Sequence, residues 1–279
     1  MKERIKNSLQ YLQVYHPLQR AYRNGINNLL KLKYRIQYKK HKGRGYLCNV
    51  CSSSYVEFVD DYPLAENAGA IEKFKIIAGY GENVICPYCL STARERLLIA
   101  FIKDFISLDD LDVLHFSPEK NIYNFLKSRS RVTTVDLFPG FYKSVDKNVI
   151  RQNALNLEFN NDTFGLIIAN HILEHIPDDR KAMQEILRVL KPGGRAILQV
   201  PYSEMIEQTI ESPGINNPQM QSELYGQKDH VRVYAFNDYL IRLKNVGFKV
   251  EIHPYENLSA YYIHAIQPNE KILLLTKES

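Results

Sequence analysis

His171, Glu174 and His175 stand at i, i+3 and i+4, so one helical turn would carry all three on one side, and Pro177 limits how far that turn extends. An imidazole titrates near neutral pH, so such a cluster can move a proton, ligate a metal or hold a structural hydrogen bond. Farther along, Asp229 and His230 in YGQKDHVRVYAF offer more proton acceptors, and Arg232 offers a cation for an anionic group on a substrate. Three roles are therefore open for His175 and His230: general base, metal ligand or structural hydrogen-bonding residue.

Cys48, Cys51, Cys86 and Cys89 are the four cysteines, arranged as two Cys-x-x-Cys pairs. Each such turn lets both sulfurs reach one ion, and four thiolates satisfy zinc in a closed structural geometry with no open position for a substrate. The spacer exceeds the usual ribbon spacing, so strands such as YVEFV (55–59) and FKIIAG (74–79) are expected to bring the two tips together. Unmetallated core cysteines and a redox pair are the competing readings.

Asp136 ends a β-branched run, RVTTVD, and a carboxylate at a strand tip can accept two hydrogen bonds from the vicinal hydroxyls of a ribose. An exposed strand-end Asp is the bland reading. No GxGxxG occurs near the preceding strand, which argues against a dinucleotide but leaves open a nucleoside ligand without phosphate.

These residues must be placed by regular elements. The chain has 279 residues, of which 45% are apolar, enough to bury a substantial core. Thr92-Ala93-Arg94-Glu95 is a capping-box pattern, followed by Leu97, Leu98, Phe101, Ile102 and Phe105 on one helical face. FGLIIAN (164–170) suits a strand buried on both faces. Asp178 and Asp179 then open a helix whose apolar face holds Ala182, Met183, Ile186, Leu187 and Leu190, and Lys191-Pro192-Gly193-Gly194 stops it before the strand RAILQVP. Strand, crossover helix and parallel strand predict a doubly wound α/β domain. GFKVEIHPY and the segment ending in KILLLTK supply further strands. Residues 202–235, rich in Pro, Asn, Gln and Tyr, read as an acceptor lid that includes Tyr202 and Tyr234 as substrate-facing candidates.

Charge divides the chain. Residues 1–45 carry twelve Lys or Arg against the single acid Glu3, a net +11 against +5 for the whole, so the remainder is −6. Ile5, Leu9, Leu12, Ile26, Leu29, Leu30 and Ile36 recur between the basic residues, predicting one or two amphipathic helices broken near His16-Pro17 and Asn24-Gly25. Such an arm suits an anionic membrane surface or a phosphate-bearing partner; a helix packed on the body is the alternative. The organisation expected is a basic arm (1–45), a zinc-ribbon-like module (46–95) and an α/β domain (96–279). No apolar run reaches the roughly 20 residues that span a bilayer, and the start lacks a signal-peptide core, so a cytoplasmic protein, peripheral at most to the inner membrane face, is expected.

The segment NHILEHIPDDRKAMQEILRVLKPGGRAILQVP (170–201) closely resembles the class I S-adenosylmethionine-dependent methyltransferases of the type 11 kind. The resemblance implies a Rossmann-like sheet of seven strands, the last antiparallel, and S-adenosylmethionine as methyl donor. By the same resemblance LDVLHFSPEKNIYNFLK is the first strand, cofactor loop and helix. The family's glycine-rich loop is replaced here by Phe116, Ser117, Pro118 and Glu119, and Glu119 is implied to meet the donor's ammonium, with helix favouring as its bland role. Asp136 then falls at the ribose, Leu137, Asn153 and Ala154 beside the adenine, and Asn170 and His171 at the strand exit facing donor and acceptor. A few family members bind a divalent metal at a similar acid and histidine cluster; for Glu174, His175 and His230 the reading does not favour a catalytic metal over the other roles.

A sulfonium is already an activated leaving group, so alignment supplies most of the rate and a histidine need only remove the acceptor proton. The leading expectation is O-methylation of a sugar, polysaccharide precursor or other small metabolite. Two alternatives belong to other classes: an RNA methyltransferase that binds nucleic acid through the zinc module and arm, and a noncatalytic scaffold that kept the fold.

Overall fold

The computed structural model describes residues 15–278. Expectations that rest on Ile5, Leu9 and Leu12 lie outside the described residues.

Helix α1 (Tyr15–Gln37) is continuous, so the expected breaks near Pro17 and Gly25 do not occur. Pro17 sits in the first turn, where its missing N–H has no partner to lose. Gly25 costs only about 1 kcal/mol against Ala inside a helix, too little to interrupt twenty-three residues. Ile26, Leu29, Leu32 and Ile36 are exposed, so this face of α1 is not packed on the body. Near its end Arg35 donates to the Tyr88 carbonyl at 3.0 and 3.2 Å and lies 3.8 Å from the Tyr88 ring centre, which ties α1 to the second cysteine knuckle.

Two short antiparallel pairs follow, β1 (Lys42–Leu47) with β2 (Ser54–Tyr55), and β3 (Val59–Asp61) with β4 (Gly81–Ile85). Between β3 and β4 lies helix α2 (Ala65–Lys73). The expected strand at 74–79 is absent: Lys75 takes φ 49°, and Ile77 alone bridges outward, to Tyr202. Its apolar residues are used sideways instead, Ile76 and Ala78 packing with Tyr225 and Val233.

Helix α3 (Ala93–Phe105) begins with the anticipated capping box: Glu95 N–H donates to Thr92 Oγ1 at 3.3 Å and Thr92 N–H to Glu95 Oε2 at 2.9 Å. The α/β domain then runs through β5 (Asp112–Phe116), α4 (Lys120–Lys127), β6 (Arg131–Asp136), β7 (Ile150–Arg151), β8 (Phe164–Ile168), α5 (Asp179–Val189) and β9 (Leu190–Ile197). A small three-stranded sheet of β10 (Tyr202–Ser203), β11 (Ile210–Glu211) and β12 (Arg232–Ala235), with helix α6 (Pro218–Tyr225) between β11 and β12, occupies the expected lid. It is a folded layer seated on α2 and residues 71–78, not a loose cover. Helix α7 (Phe236–Val246) and strands β13 (Phe248–His253) and β14 (Ile272–Lys277) complete the chain.

The main sheet has seven strands in the order β13-β14-β9-β8-β5-β6-β7, parallel except for β14, which runs antiparallel to both neighbours. Strand periodicity explains its burial. Val113, Leu166, Ile168, Ile197 and Leu274 pack under α3 and α4, while Leu114, Ile167, Ala196, Leu273 and Leu275 pack under α5 and α7. The stop after α5 needs its glycines: Gly193 takes φ +73°, and a Cβ on Gly194 would stand 2.7 Å from the Lys191 carbonyl oxygen. Among the described residues, no helix is long and apolar enough to cross a membrane.

Arg96 joins the N-terminal segment to the sheet. Its side chain is fully buried and donates to five carbonyls: Ser91 at 2.5 Å, Asn83 at 3.2 Å and Val84 at 3.0 Å from the cysteine segment, and His264 at 2.5 Å and Ala265 at 2.7 Å from the loop before β14. No carboxylate pairs with it among the described residues. Burial pushes its pKa down, and the charges that oppose this most are Cys48, Cys86 and Cys89. Arg96→Met keeps much of the volume but leaves those carbonyls without donors, so urea unfolding should show a loss of about 3 kcal/mol or more. A loss below about 1 kcal/mol would mean that the carbonyls find other partners.

Candidate active site

The parallel strands β5, β6 and β8 end together, and a cavity of about 570 Å³ opens beyond their carboxyl ends, where doubly wound sheets place ligands. Its lining includes each cofactor candidate read from the sequence: Phe116, Ser117, Pro118, Glu119, Asp136, Leu137, Asn153, Ala154, Asn170 and His171. Phe138, Phe141, Tyr142 and Gln152 join them and carried no sequence signal of their own.

The glycine-free loop keeps a glycine-like backbone. Ser117 takes φ 43°, a left-handed value that costs a non-glycine residue on the order of 1 kcal/mol. Its N–H donates to Val135 O at 2.8 Å and its hydroxyl to Asp136 Oδ2 at 2.6 Å, so the strain is offset by anchoring to the neighbouring strand. Asp136 Oδ1 in turn accepts from Phe138 N–H at 2.6 Å. A carboxylate has about four lone-pair sites, so roughly two remain for a diol. Leu137 and Phe138 stand exposed at the cavity rim, apolar surface that a flat ring would cover.

Glu119 occupies the N-cap of α4 but makes no side-chain cap bond. Its carboxylate goes instead to His115 Nε2 at 2.9 Å and accepts from Asn170 Nδ2 at 3.1 Å. Burial pushes Glu119 up, but the hydrogen bond with His115 and its charge more than offset that and hold it below the usual value. Asn170 Oδ1 is buried with no hydrogen-bond partner among the described residues. A carboxylate and an orphaned amide oxygen side by side fit an ammonium group.

A second cavity, of about 330 Å³, adjoins the first and shares Arg94, His171 and His175 with it. Asp61, Ile76, Tyr80 and Val84 from the N-terminal segment form one wall, and Tyr225, Gln227 and His230 from the lid form another. The expected helical turn is shorter than the spacing implied: a 3-10 turn covers Leu173–His175, His171 stands before it at φ 52°, and Glu174 and His175 meet His230. His171 Nδ1 lies 3.4 Å and His230 Nε2 4.0 Å from Glu174 Oε1, and the His175 and His230 rings meet edge to face with centres 4.7 Å apart. Burial pushes Glu174 up to about 8 and His230 down to about 4; burial and then Arg94 hold His171 well below the usual histidine value. Burial thus favours the neutral forms of all three groups. Asp229 borders the donor cavity, its carboxylate 3.7 Å from His175 Nδ1.

Three acceptor candidates are placed elsewhere. Arg232 is buried and donates to the carbonyls of Leu173 at 2.8 Å, Ile176 at 2.6 Å and Pro177 at 2.7 Å while pairing with Glu211, so it braces the histidine turn instead of facing an acceptor. Tyr202 bonds Asn269 O and Lys271 N, and Tyr234 donates to Asp179 at 2.7 Å inside the core. All three lost their expected role because the lid is folded inward. Sequence reading missed Arg94, Tyr80 and Asp61 as cavity residues. Arg94 stands inside the capping-box motif, which explained its neighbours without asking where its own side chain went, and its Nε is buried without a hydrogen-bond partner among the described residues.

The four cysteines meet as expected. All four sulfurs lie within 4.8 Å of one another, with Cys48–Cys89 at 3.6 Å and Cys51–Cys86 at 3.8 Å. Tetrahedral zinc with bonds of ~2.3 Å requires sulfurs ~3.8 Å apart, so the cage has the size of the ion. The knuckles repeat one geometry: Ser52 N–H donates to Cys48 O and Leu90 N–H to Cys86 O, with Ser52 and Leu90 both at positive φ. Arg96 lies nearby as a cation that would offset the negative charge of thiolates holding an ion.

Comparison with known proteins agrees with this architecture. Residues 119–198 match the family model described as a methyltransferase domain. A demethylmenaquinone methyltransferase of Lactiplantibacillus plantarum is 45% identical over 47 residues, 17% of this chain and 20% of that protein, and one of Bacillus pumilus is 30% identical over 84 residues, 30% and 35% respectively. The aligned segments thus span about a fifth to a third of these relatives. Among solved structures, a chain of the complex between the Haloferax volcanii Trm112 methyltransferase activator and a methyltransferase superposes with TM-score 0.50 at 12% identity, covering 67% of this chain and 94% of the other. The family match thus covers residues 119–198, and the topology is a Rossmann-like sheet of seven strands.

Proposed function

We propose that this protein transfers the methyl group of S-adenosylmethionine to a hydroxyl of a small polar acceptor, a sugar, polysaccharide precursor or comparable metabolite. The observation that carries the reading is the meeting of the two cavities at His171 and His175: a donor-sized cleft with carboxylates at Glu119 and Asp136 opens directly onto a smaller polar chamber. In this reading Asp136 holds the ribose hydroxyls, Glu119 and Asn170 the ammonium, Arg94 the carboxylate, and Leu137, Phe138 and Ala154 the adenine. The acceptor oxygen forms its bond to the methyl carbon as the carbon–sulfur bond breaks, and that electron pair stays on sulfur, which becomes a neutral thioether. The hydroxyl proton leaves through the cluster of His171, His175 and His230 that lines the second cavity.

The chamber volume suits a small molecule better than a polymer, and residues 46–279 are net acidic, which weighs against RNA. The quinone C-methyltransferase relatives match over too little of their length to carry their acceptor to this chain. Zinc in the cysteine cage is part of the same proposal, and its role there is structural, fixing the wall that carries Tyr80 and Val84. Four cysteines with no disulfide among them suit a reducing compartment such as the cytoplasm.

For α1 we propose an anionic membrane surface, because Leu29, Leu32 and Ile36 stay exposed between Lys31, Lys33 and Arg35. Leu29→Glu with Leu32→Glu should then reduce co-sedimentation with anionic vesicles several-fold, and equal binding by the variant would remove the membrane from the account. Calorimetry with S-adenosylhomocysteine should show at least tenfold weaker binding for Asp136→Ala; unchanged affinity, or no binding by the native chain, sinks the donor assignment. His230→Ala should lower turnover of labelled donor at least a hundredfold while leaving donor affinity within a factor of two or so. Retained turnover would take His230 out of the reaction.

A further inference from the structure

Glu174 is the buried group that the fold explains least. Its side chain is 1% exposed, yet neither carboxyl oxygen has a hydrogen-bond partner among the described residues. An ordinary structural glutamate would be paired, since a buried carboxyl left without partners loses the hydrogen bonds that water gave it. A His–Glu hydrogen bond would bring nitrogen and oxygen to about 2.7–3.2 Å. Instead His171 and His230 stop at 3.4 and 4.0 Å from Oε1.

The surrounding histidines are held as if to present lone pairs. His175 Nδ1 lies 3.1 Å from the Asp229 carbonyl oxygen, which can only accept, so Nδ1 carries the proton and Nε2 is left with its lone pair. His230 Nε2 faces Glu174 Oε1 at 4.0 Å, and Gln221 Nε2 fixes the His230 carbonyl at 2.9 Å. The backbone is braced from below: Val231 N–H donates to Glu174 O at 2.9 Å, and Arg232 binds three carbonyls of the same turn. His171 adopts φ 52°, strain of the sort that persists where surroundings impose it. One oxygen and two nitrogens, one from each of Glu174, His175 and His230, lie within 4.8 Å of one another. Ligands bonded at ~2.1 Å stand ~3.0–3.5 Å apart around an ion, so closing onto one requires only side-chain adjustment.

We propose that Glu174, His175 and His230 form a divalent transition-metal site, with His171 at its flank and open coordination positions facing the acceptor cavity. Two imidazoles and a carboxylate select ions of the manganese-to-zinc series over calcium or magnesium, which prefer oxygen alone. This site is separate from the cysteine cage, which is closed and made of sulfur. Its consequence for catalysis rests on the methyl-transfer reading: an ion here takes an acceptor oxygen as ligand, lowers its pKa and holds it before the donor cavity.

The test is a titration of EDTA-dialysed full-length protein with Mn²⁺ and, separately, Co²⁺, read by electron paramagnetic resonance and calorimetry. Neither readout depends on turnover, and absence of thiolate charge-transfer absorption marks the Co²⁺ as bound outside the cysteine cage. One equivalent of such ion should bind per chain, and Glu174→Gln and His230→Ala should each weaken it at least tenfold while S-adenosylhomocysteine affinity stays within twofold. His175→Ala provides an independent variant if Glu174→Gln fails to fold. Absence of that equivalent in the native chain, or unchanged metal affinity in the variants, overturns the site. Metal binding without donor binding would keep the site and sink the methyl-transfer reading; donor binding without metal would do the reverse.

Discussion

The buried guanidinium of Arg96 is the interaction on which the arrangement depends. A sheet of this kind needs only its own helices to bury its faces, and nothing in that requirement attaches a cysteine-rich hairpin pair to it. Arg96 makes the attachment, since one planar group satisfies carbonyls from the cysteine segment and from the loop before β14 at once. The segment so held delivers Tyr80, Val84 and Asp61 to the cavity beside the histidines. The same helix that carries Arg96 carries Arg94 into the junction of both cavities, so attachment and site construction share a single turn of α3.

A second coupling runs between strain and binding. Ser117 holds a backbone angle that glycine adopts freely, and its hydroxyl is tied to the carboxylate proposed to grip the ribose. His171 shows the same behaviour at the end of β8. Both strained residues lie where a strand ends at a cavity, which is where a compact fold can hold a side chain in a direction that regular structure does not provide. Across the site the charged groups are arranged in opposing kinds: Glu119 is kept ionised by His115, while Glu174 is left without a donor and driven toward its neutral form. Two carboxyls on one face of the protein thus have opposite tendencies, set by their neighbours.

Much of this was legible in the sequence because it rests on local rules. Strand and helix periodicity in 164–197 reported burial directly; Thr92 and Glu95 announced the start of α3; the spacing of Glu174 and His175 reported a shared turn, which His171 at φ 52° does not join. The errors came from long-range packing. Arg232, Tyr202 and Tyr234 read as substrate-facing because a segment rich in Pro and Asn looks like a cover, but an apolar cluster of Ile71, Ile76, Tyr225 and Val233 folds that segment onto α2 and turns these side chains inward. The FKIIAG run has strand composition, yet its partners are side chains across a layer and not a neighbouring strand.

The sequence by itself determined most of the elements, the two paired cysteine turns and the carboxylates at strand ends, because each follows from spacing within a few residues or from residue chemistry. Only the tertiary structure decided which groups share a cavity. Arg94, Tyr80 and Asp61 come from before the α/β domain, and His230 from long after the turn that holds Glu174; whether they meet depends on how two packed layers close over the sheet edge. Burial has the same origin. The shift of Glu174 toward its neutral form belongs to no residue pattern, only to the exclusion of water that a finished fold produces.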